Sequence, residues 1–277
     1  MWPLLLLACN GDPTADPLPY IYQDDGSEQA PQLDLAELES SVEGFFDVVF
    51  GIRARGVVDA YFAMAQDQDV YCPPQYVQDG NAYWAGECTT EGGTAWSGYA
   101  FAQTYDDYME GEYLYDGAAV FGVFDLADPS GATLTGGGQV SWLDALYTGD
   151  DQPHTFHQNT VSGTFLWDGA DSGDWLAGEV SPDVQMTAYH LTDFDAGALT
   201  LTGGVSGLGS PADTVTVDEL AMFDPVISAC GLEPSGTIGI RSDDGNWFDI
   251  VFDGPSEFGG ELVDPDGCDG CGGVYWR

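Results

Sequence analysis

AAVFGVFDLADPSGATLTGGGQVSWLDAL, residues 118–146, alternates apolar with small or polar side chains, stops at Asp-Pro-Ser-Gly, and then resumes the alternation. Successive side chains of a strand point to opposite faces, so a period of two marks a half-buried strand, and a Pro/Gly cluster between two such runs marks a reversal. The stretch therefore predicts two consecutive strands, 118–126 and 132–146. Nothing helical lies between them to serve as a crossover, so they must pair antiparallel.

The same pattern extends in both directions. Further strands are expected at 95–103, 160–169, 175–190, 198–207, 214–223, 237–241 and 247–252, with turn clusters such as DGADSGD (168–174) and GSPAD (209–213) between them. The last two runs flank SDDGN (242–246), whose Asp-Gly is a strong hairpin signal. Gly, Ala and Thr interrupt the alternation throughout. The expected fold is mainly β: an extended antiparallel meander, as a curved sheet, a flattened barrel or an open sandwich, with an N-terminal pair of helices.

The helical signal is confined to residues 34–66. Leu35, Leu38, Val42, Phe45, Val49 and Ile52 recur at steps of three and four, and Asp34 with Glu37 has the spacing of a capping box. Gly51 and Gly56 are expected to break this helix, and VVDAYFAMA (57–65) to form a second, short one. Arg53 and Arg55 are expected to pair with carboxylates and fix the corner between the two.

The chain holds 34 Asp and 13 Glu against four Arg and no Lys, a net charge of −43 on 277 residues. Nucleic acid binding depends on basic side chains neutralising phosphates, so this composition argues against a nucleic-acid partner. Chemistry that needs a fixed lysine, such as a phosphate-binding loop or a Schiff base, is removed as well. A hydrophobic content of 44 %, with 8 Trp, 14 Tyr and 14 Phe, is nevertheless enough to bury a core. Acidity of this degree is a feature of proteins from salt-loving organisms and of calcium-loaded extracellular ones.

The chain opens MWPLLLLAC, and after Cys9 turns polar with Pro13, Pro17, Pro19 and Pro31. Trp2 to Ala8 is far shorter than the about 20 apolar residues that span a bilayer and matches the h-region of a secretory signal. No Lys or Arg precedes it, so the amino terminus is its only positive charge. Leu6-Leu7-Ala8-Cys9 resembles the lipobox of bacterial lipoproteins. The resemblance implies that residues 1–8 are a signal peptide and that Cys9 is lipidated and anchors the chain to a membrane. Asn10 rather than Asp after that cysteine implies outer-membrane sorting, to the periplasmic face or the cell surface. Residues 9–33 read as a disordered acidic tether reaching roughly 70 Å at most, and residues 34–277 as a single β-rich domain.

Export also sets the cysteine chemistry. Cys72 and Cys88 bracket CPPQYVQDGNAYWAGEC and are expected to form a disulfide. Of Cys230, Cys268 and Cys271, either of the last two can pair with the first. CDGCGG (268–273) has a spacing seen in zinc and redox sites, but a zinc ribbon needs a second pair and a redox site needs a strand-then-helix context.

With its lipobox, paired helices before a CPP loop, GEC, Gly-rich β region, DDGNW hairpin and CDGCG ending, the chain resembles acidic, Gly-rich β lipoproteins of predatory and soil-dwelling proteobacteria. That resemblance implies an envelope location and no particular activity.

Three groups of residues bear on chemistry. His154, His157 and His190 could together ligate zinc, yet on a strand residues three apart face opposite sides, so His154 and His157 converge only on a loop or helix. Carboxylates cluster in TYDDYMEGEY (104–113), where a glycosidase pair would need a cleft to flank. Asp264, Asp266 and Asp269, with Asp243, Asp244 and Asp249, offer hard oxygen ligands at turns, which makes calcium the one cofactor the sequence suggests. Tyr83, Trp84, Trp96 and Tyr99 read as exposed aromatics that offer a surface for a glycan or a protein. The leading reading is a lipid-anchored, non-enzymatic structural or interaction protein. The alternatives are an exported hydrolase or metal-dependent enzyme and a calcium-dependent glycan-binding module.

Overall fold

The computed structural model describes residues 35–78, 81–149, 153–169, 180–192, 195–224, 234–242, 244–254 and 273–276. Helix α1 spans Leu35–Gly51 and α2 spans Ala54–Ala65. The strands are β1 (Gln75–Gln78), β2 (Asn81–Thr89), β3 (Ala95–Glu110), β4 (Tyr113–Ala127), β5 (Thr133–Tyr147) and β6 (His154–Asp168). They continue with β7 (Ser181–Leu191), β8 (Ala196–Ser206), β9 (Ala212–Phe223), β10 (Ser235–Ser242), β11 (Trp247–Asp253) and β12 (Gly273–Trp276). Among the described residues these twelve strands form one antiparallel sheet in sequence order, β1 to β12. The meander is therefore as expected. β1 and β12 are the two ends of the order, so the ladder does not close on itself and no barrel forms.

The helical period places Leu38, Val42, Phe45, Phe46 and Val49 on the buried side of α1. Of the two expected breaks only the one at Gly51 occurs. Gly56 lies in the first turn of α2, where its cost of about 1 kcal/mol is outweighed by the burial of Val57, Val58, Tyr61 and Met64 that the helix allows.

The strands cluster into two compact units. In the unit made of residues 48–151 and 155–185, α2 lies against β4 and β5. Its core joins Val57, Val58, Tyr61 and Met64 to Trp84, Trp96, Val120, Phe124, Leu126, Leu134, Val140, Val161 and Phe165. In the unit that takes in residues 186–277, Val215, Val217, Ile238, Ile240, Phe248 and Ile250 are buried. There the SDDGN hairpin forms as read, with Gly245 at φ 84° and the Ser242 amide donating to the Asn246 carbonyl.

Two hairpins exceed the expectation. Within the Cys72–Cys88 loop, β1 and β2 pair from Gln75 opposite Trp84 to Gln78 opposite Asn81. The disulfide itself is present, with Cα atoms 5.7 Å apart. The acidic stretch 104–113 lies beyond the strand expected at 95–103 and continues it as the far end of β3, turned back at Gly111 and Glu112 into β4. Gly111 takes φ 60° at the first central position of that two-residue turn, a conformation glycine adopts without strain.

The glycines that blur the alternation have a packing reason. Gly138 lies opposite Gly122 on one side and Gly163 on the other. At its φ of 134° an added Cβ would run into the Ser162 carbonyl, so the three strands can approach and coil here only without side chains.

Candidate aromatic face on strands β3–β6

The alternation of β4 decides which residues face where. Ala118, Val120, Phe124 and Leu126 enter the core beneath α2, so Tyr113, Tyr115, Phe121 and Val123 stand on the opposite face. Phe121 and Val123 are about half exposed there, as is Tyr99, which lies opposite Val123 on β3.

At the β3–β4 turn this outer face becomes an aromatic cluster. Tyr108 pairs with Tyr115 across β3 and β4, Tyr113 with Tyr147 across β4 and β5, and Ala145 lies opposite both Tyr115 and Phe156. The ring centroids of Tyr113 and Tyr115 are 6.0 Å apart, those of Tyr108 and Tyr115 6.3 Å, and those of Tyr113 and Tyr147 5.2 Å. Phe156 meets Tyr113 at 6.0 Å and Tyr115 at 6.2 Å, both edge to face. These separations lie in the range where ring quadrupoles attract. Ala145, only 3 % exposed, is the small floor over which Tyr115 and Phe156 close.

Carboxylates border the cluster. Glu110 lies opposite Tyr113. The Tyr147 hydroxyl donates to Glu112 Oε2 at 2.7 Å, and the Thr148 amide and hydroxyl donate to the Glu112 carbonyl at 2.7 and 2.6 Å, which fixes the turn against β5. A bulge at Asp106 and Asp107, the latter at φ 49°, shifts the register between Tyr105 and Tyr108. Partial burial, and then the nearby Glu110, Tyr113 and Tyr108, push the Tyr115 hydroxyl pKa up from its ordinary value. The local potential is negative, and it disfavours a further anion.

The inner face of the same strands carries a charged row. Asp116, Asp144 and His157 are successive cross-strand partners on β4, β5 and β6. His157 Nδ1 is 2.7 Å from Asp144 Oδ1, and Arg55 Nη1 donates to Asp144 Oδ2 at 3.2 Å. Arg55 also stacks its guanidinium 4.1 Å from the centre of the Trp142 ring and reaches Asp59 at 3.9 Å. Arg55 thus takes the corner role expected of it. Among the described residues no carboxylate pairs with Arg53.

Asp67 and Asp69 anchor the loops at the opposite end of the sheet. Asp67 accepts from the Thr90 hydroxyl at 2.5 Å and the Thr94 amide at 3.3 Å, and the hydrogen bonds of these two threonines hold its carboxyl below the usual range. Asp69 is lowered by the amides of Tyr71, Glu91 and Cys72. Asp128, which caps the Asp-Pro-Ser-Gly turn, is lowered first by the Ser130 hydroxyl.

The residues singled out in the sequence separate as follows. Trp84 and Trp96 are not surface aromatics. They are 3 % and 1 % exposed, packed edge to face at 5.0 Å, because α2 covers the face they occupy. Trp84 Nε1 donates to the Tyr61 hydroxyl at 2.8 Å, and burial pushes the Tyr61 pKa up to about 12. His154 and His157 sit three apart within β6, which puts them on opposite faces, and His190 lies on β7. Asp244 is in the β10–β11 turn and Asp249 on β11, opposite Gly239. Among the described residues no three His, Cys, Asp or Glu side chains gather as a metal site. Cys9, Cys230, Cys268, Cys271, Asp243, Asp264, Asp266 and Asp269 lie outside the described residues.

The aromatic cluster itself was missed. Its signal is Y-M-E-G-E-Y-L-Y (108–115), in which a Gly-containing two-residue turn brings alternating tyrosines into register. No protein-family model matches the chain, and neither a curated protein nor a solved structure matches it.

Proposed function

We propose that the chain is a non-enzymatic interaction protein, tethered to the outer membrane through lipid on Cys9 and residues 10–33. The observation that carries the interaction role is the outer face of β3–β6, where five aromatic rings meet around Ala145 and Tyr108 remains 51 % exposed. Aromatic side chains that combine apolar area with a polar tip are enriched where proteins meet partners. The lipobox supports the tether, because two or more acyl chains hold a protein stably where one binds only marginally.

Metabolic labelling with a fatty acid, followed by fractionation, tests the anchor. Label and outer-membrane fractionation are expected for the wild type and neither for Cys9→Ser. An unlabelled wild type would sink the anchor.

A second reading, an exported hydrolase, draws on the Asp144–His157 contact, which orients an imidazole so that Nε2 could serve as a base. His157→Gln separates the two readings. Hydrolysis of a polymeric or ester substrate by the wild type that this change abolishes would replace the interaction role. Calcium remains a candidate ligand, and a rise in melting temperature with CaCl₂ beyond that with NaCl of equal ionic strength is its test.

A further inference from the structure

We propose that the aromatic face around Tyr113 and Tyr115 docks a cationic, arginine- or lysine-rich polypeptide segment. This inference deepens the interaction role and rests on it, but not on the lipid anchor.

Three observations converge on that ligand. The rings of Tyr108, Tyr113, Tyr115 and Phe156 form one connected cluster on an outward sheet face. Guanidinium and ammonium groups are drawn to the faces of such rings. The acids at its margin, Glu110 and Glu112 at the turn and Asp106 and Asp107 at the bulge, provide carboxylates within the same few residues. Lastly, among the described residues this face carries no Lys or Arg. The chain lacks Lys, and the only two Arg of this unit, Arg53 and Arg55, belong to the helical segment, with Arg55 committed to Asp144 and Trp142 on the inner face.

Charge complementarity selects among occupants. A second copy of the chain would bring another net −43 against this face, and an anionic lipid or nucleic acid would meet the same repulsion. A basic segment gains from both parts of the site. Its charge is attracted by the carboxylates, and its side-chain stems and planar head groups cover the rings.

The test is binding of a fluorescent deca-arginine peptide to the full chain at physiological ionic strength, beside a neutral Gly-Ser peptide and a neutral oligosaccharide. Tyr108→Leu with Tyr115→Leu removes two rings without altering net charge. It is expected to weaken deca-arginine binding about tenfold, while Tyr115→Phe, which keeps the ring, retains most of it. Circular dichroism of each variant confirms folding, and Tyr108→Leu alone, at an exposed position, supplies the answer if the double variant fails to fold. Asp213→Asn with Asp218→Asn, acids on β9, is the matched control and should leave affinity unchanged within about twofold.

If Tyr108→Leu and the double variant both bind deca-arginine as the wild type does, only bulk charge is at work and the proposal falls. It falls equally if the oligosaccharide binds in a tyrosine-dependent manner and the peptide does not, in which case the face is a glycan platform and the interaction role survives.

Discussion

The two faces of β3–β6 use the same class of side chain to opposite ends. On the inner face Trp96, Phe124 and Phe165 share with Trp84 of the adjoining β2 the core beneath α2, and the Trp84 indole donates to the phenol of Tyr61. On the outer face Tyr108, Tyr113, Tyr115, Tyr147 and Phe156 pack against one another around the small Ala145, with no helix described over them. Tryptophan and phenylalanine dominate where a helix supplies the other half of the contact. Tyrosine dominates on the face that no described helix covers, where a ring with a polar tip suits partial exposure. The contrast shows that aromatic content alone does not locate a binding surface; the element lying opposite does.

Substitutions on each side should respond in proportion. Phe124→Ala removes a ring packed 5.4 Å from Tyr61 and 6.4 Å from Phe165, and is expected to destabilise by about 3–5 kcal/mol in urea unfolding. A loss under 1 kcal/mol would mean that the inner face is not the close-packed one. Next in size, replacing Cys72 and Cys88 by Ser opens a link across 16 positions and should cost about 3 kcal/mol by the chain-entropy argument.

Arg55→Ala takes away the stack on Trp142 and the bond to Asp144 and should cost about 1 kcal/mol, part of it salt-sensitive. Complete insensitivity to both the change and the salt would leave α2 held by apolar burial alone.

The loops that close the opposite end of the sheet give the contrast a pH signature. The carboxyls of Asp67, Asp69 and Asp128 titrate below their ordinary range when folded. Their contribution is therefore fully present above the unfolded Asp value of about 3.9 and is lost as pH falls through the depressed folded values. Thr90→Val removes the largest of the causes acting on Asp67 and should move the acid-unfolding midpoint to higher pH. A midpoint that stays in place would show that this hydrogen bond does not couple to folding.

The smallest effect belongs to the outer face. Tyr108→Leu should change stability by no more than about 0.5 kcal/mol while weakening partner binding. A large loss of stability at Tyr108 would instead make the outer cluster a second core.

Much of the architecture was legible because it rests on local periodicity. The step of three and four along Leu38, Val42, Phe45 and Val49 gives α1 its buried stripe, and the period of two through 118–146 gives β4 and β5. What was hidden depends on contacts distant in sequence. Trp84 and Trp96 sit among tyrosines and glycines that look like surface, and only the arrival of α2, whose Tyr61 precedes Trp84 by 23 positions and Trp96 by still more, buries them. The tyrosine cluster was concealed by the bulge at Asp106 and Asp107, which breaks the alternation and makes the stretch read as a run of acids. The fold class thus followed from spacing, whereas the candidate site required knowing which face had been covered.

The sequential order of the strands has a kinetic meaning. β-Rich proteins usually fold slowly because their pairings join distant parts of the chain, and each such closure carries its entropy before any contact repays it. Here every strand neighbours its predecessor, so no pairing waits on a strand from a distant part of the order, and even the longest connection, from β11 to β12, joins consecutive strands. A growing chain can therefore add one hairpin at a time, each new strand finding its template already in place.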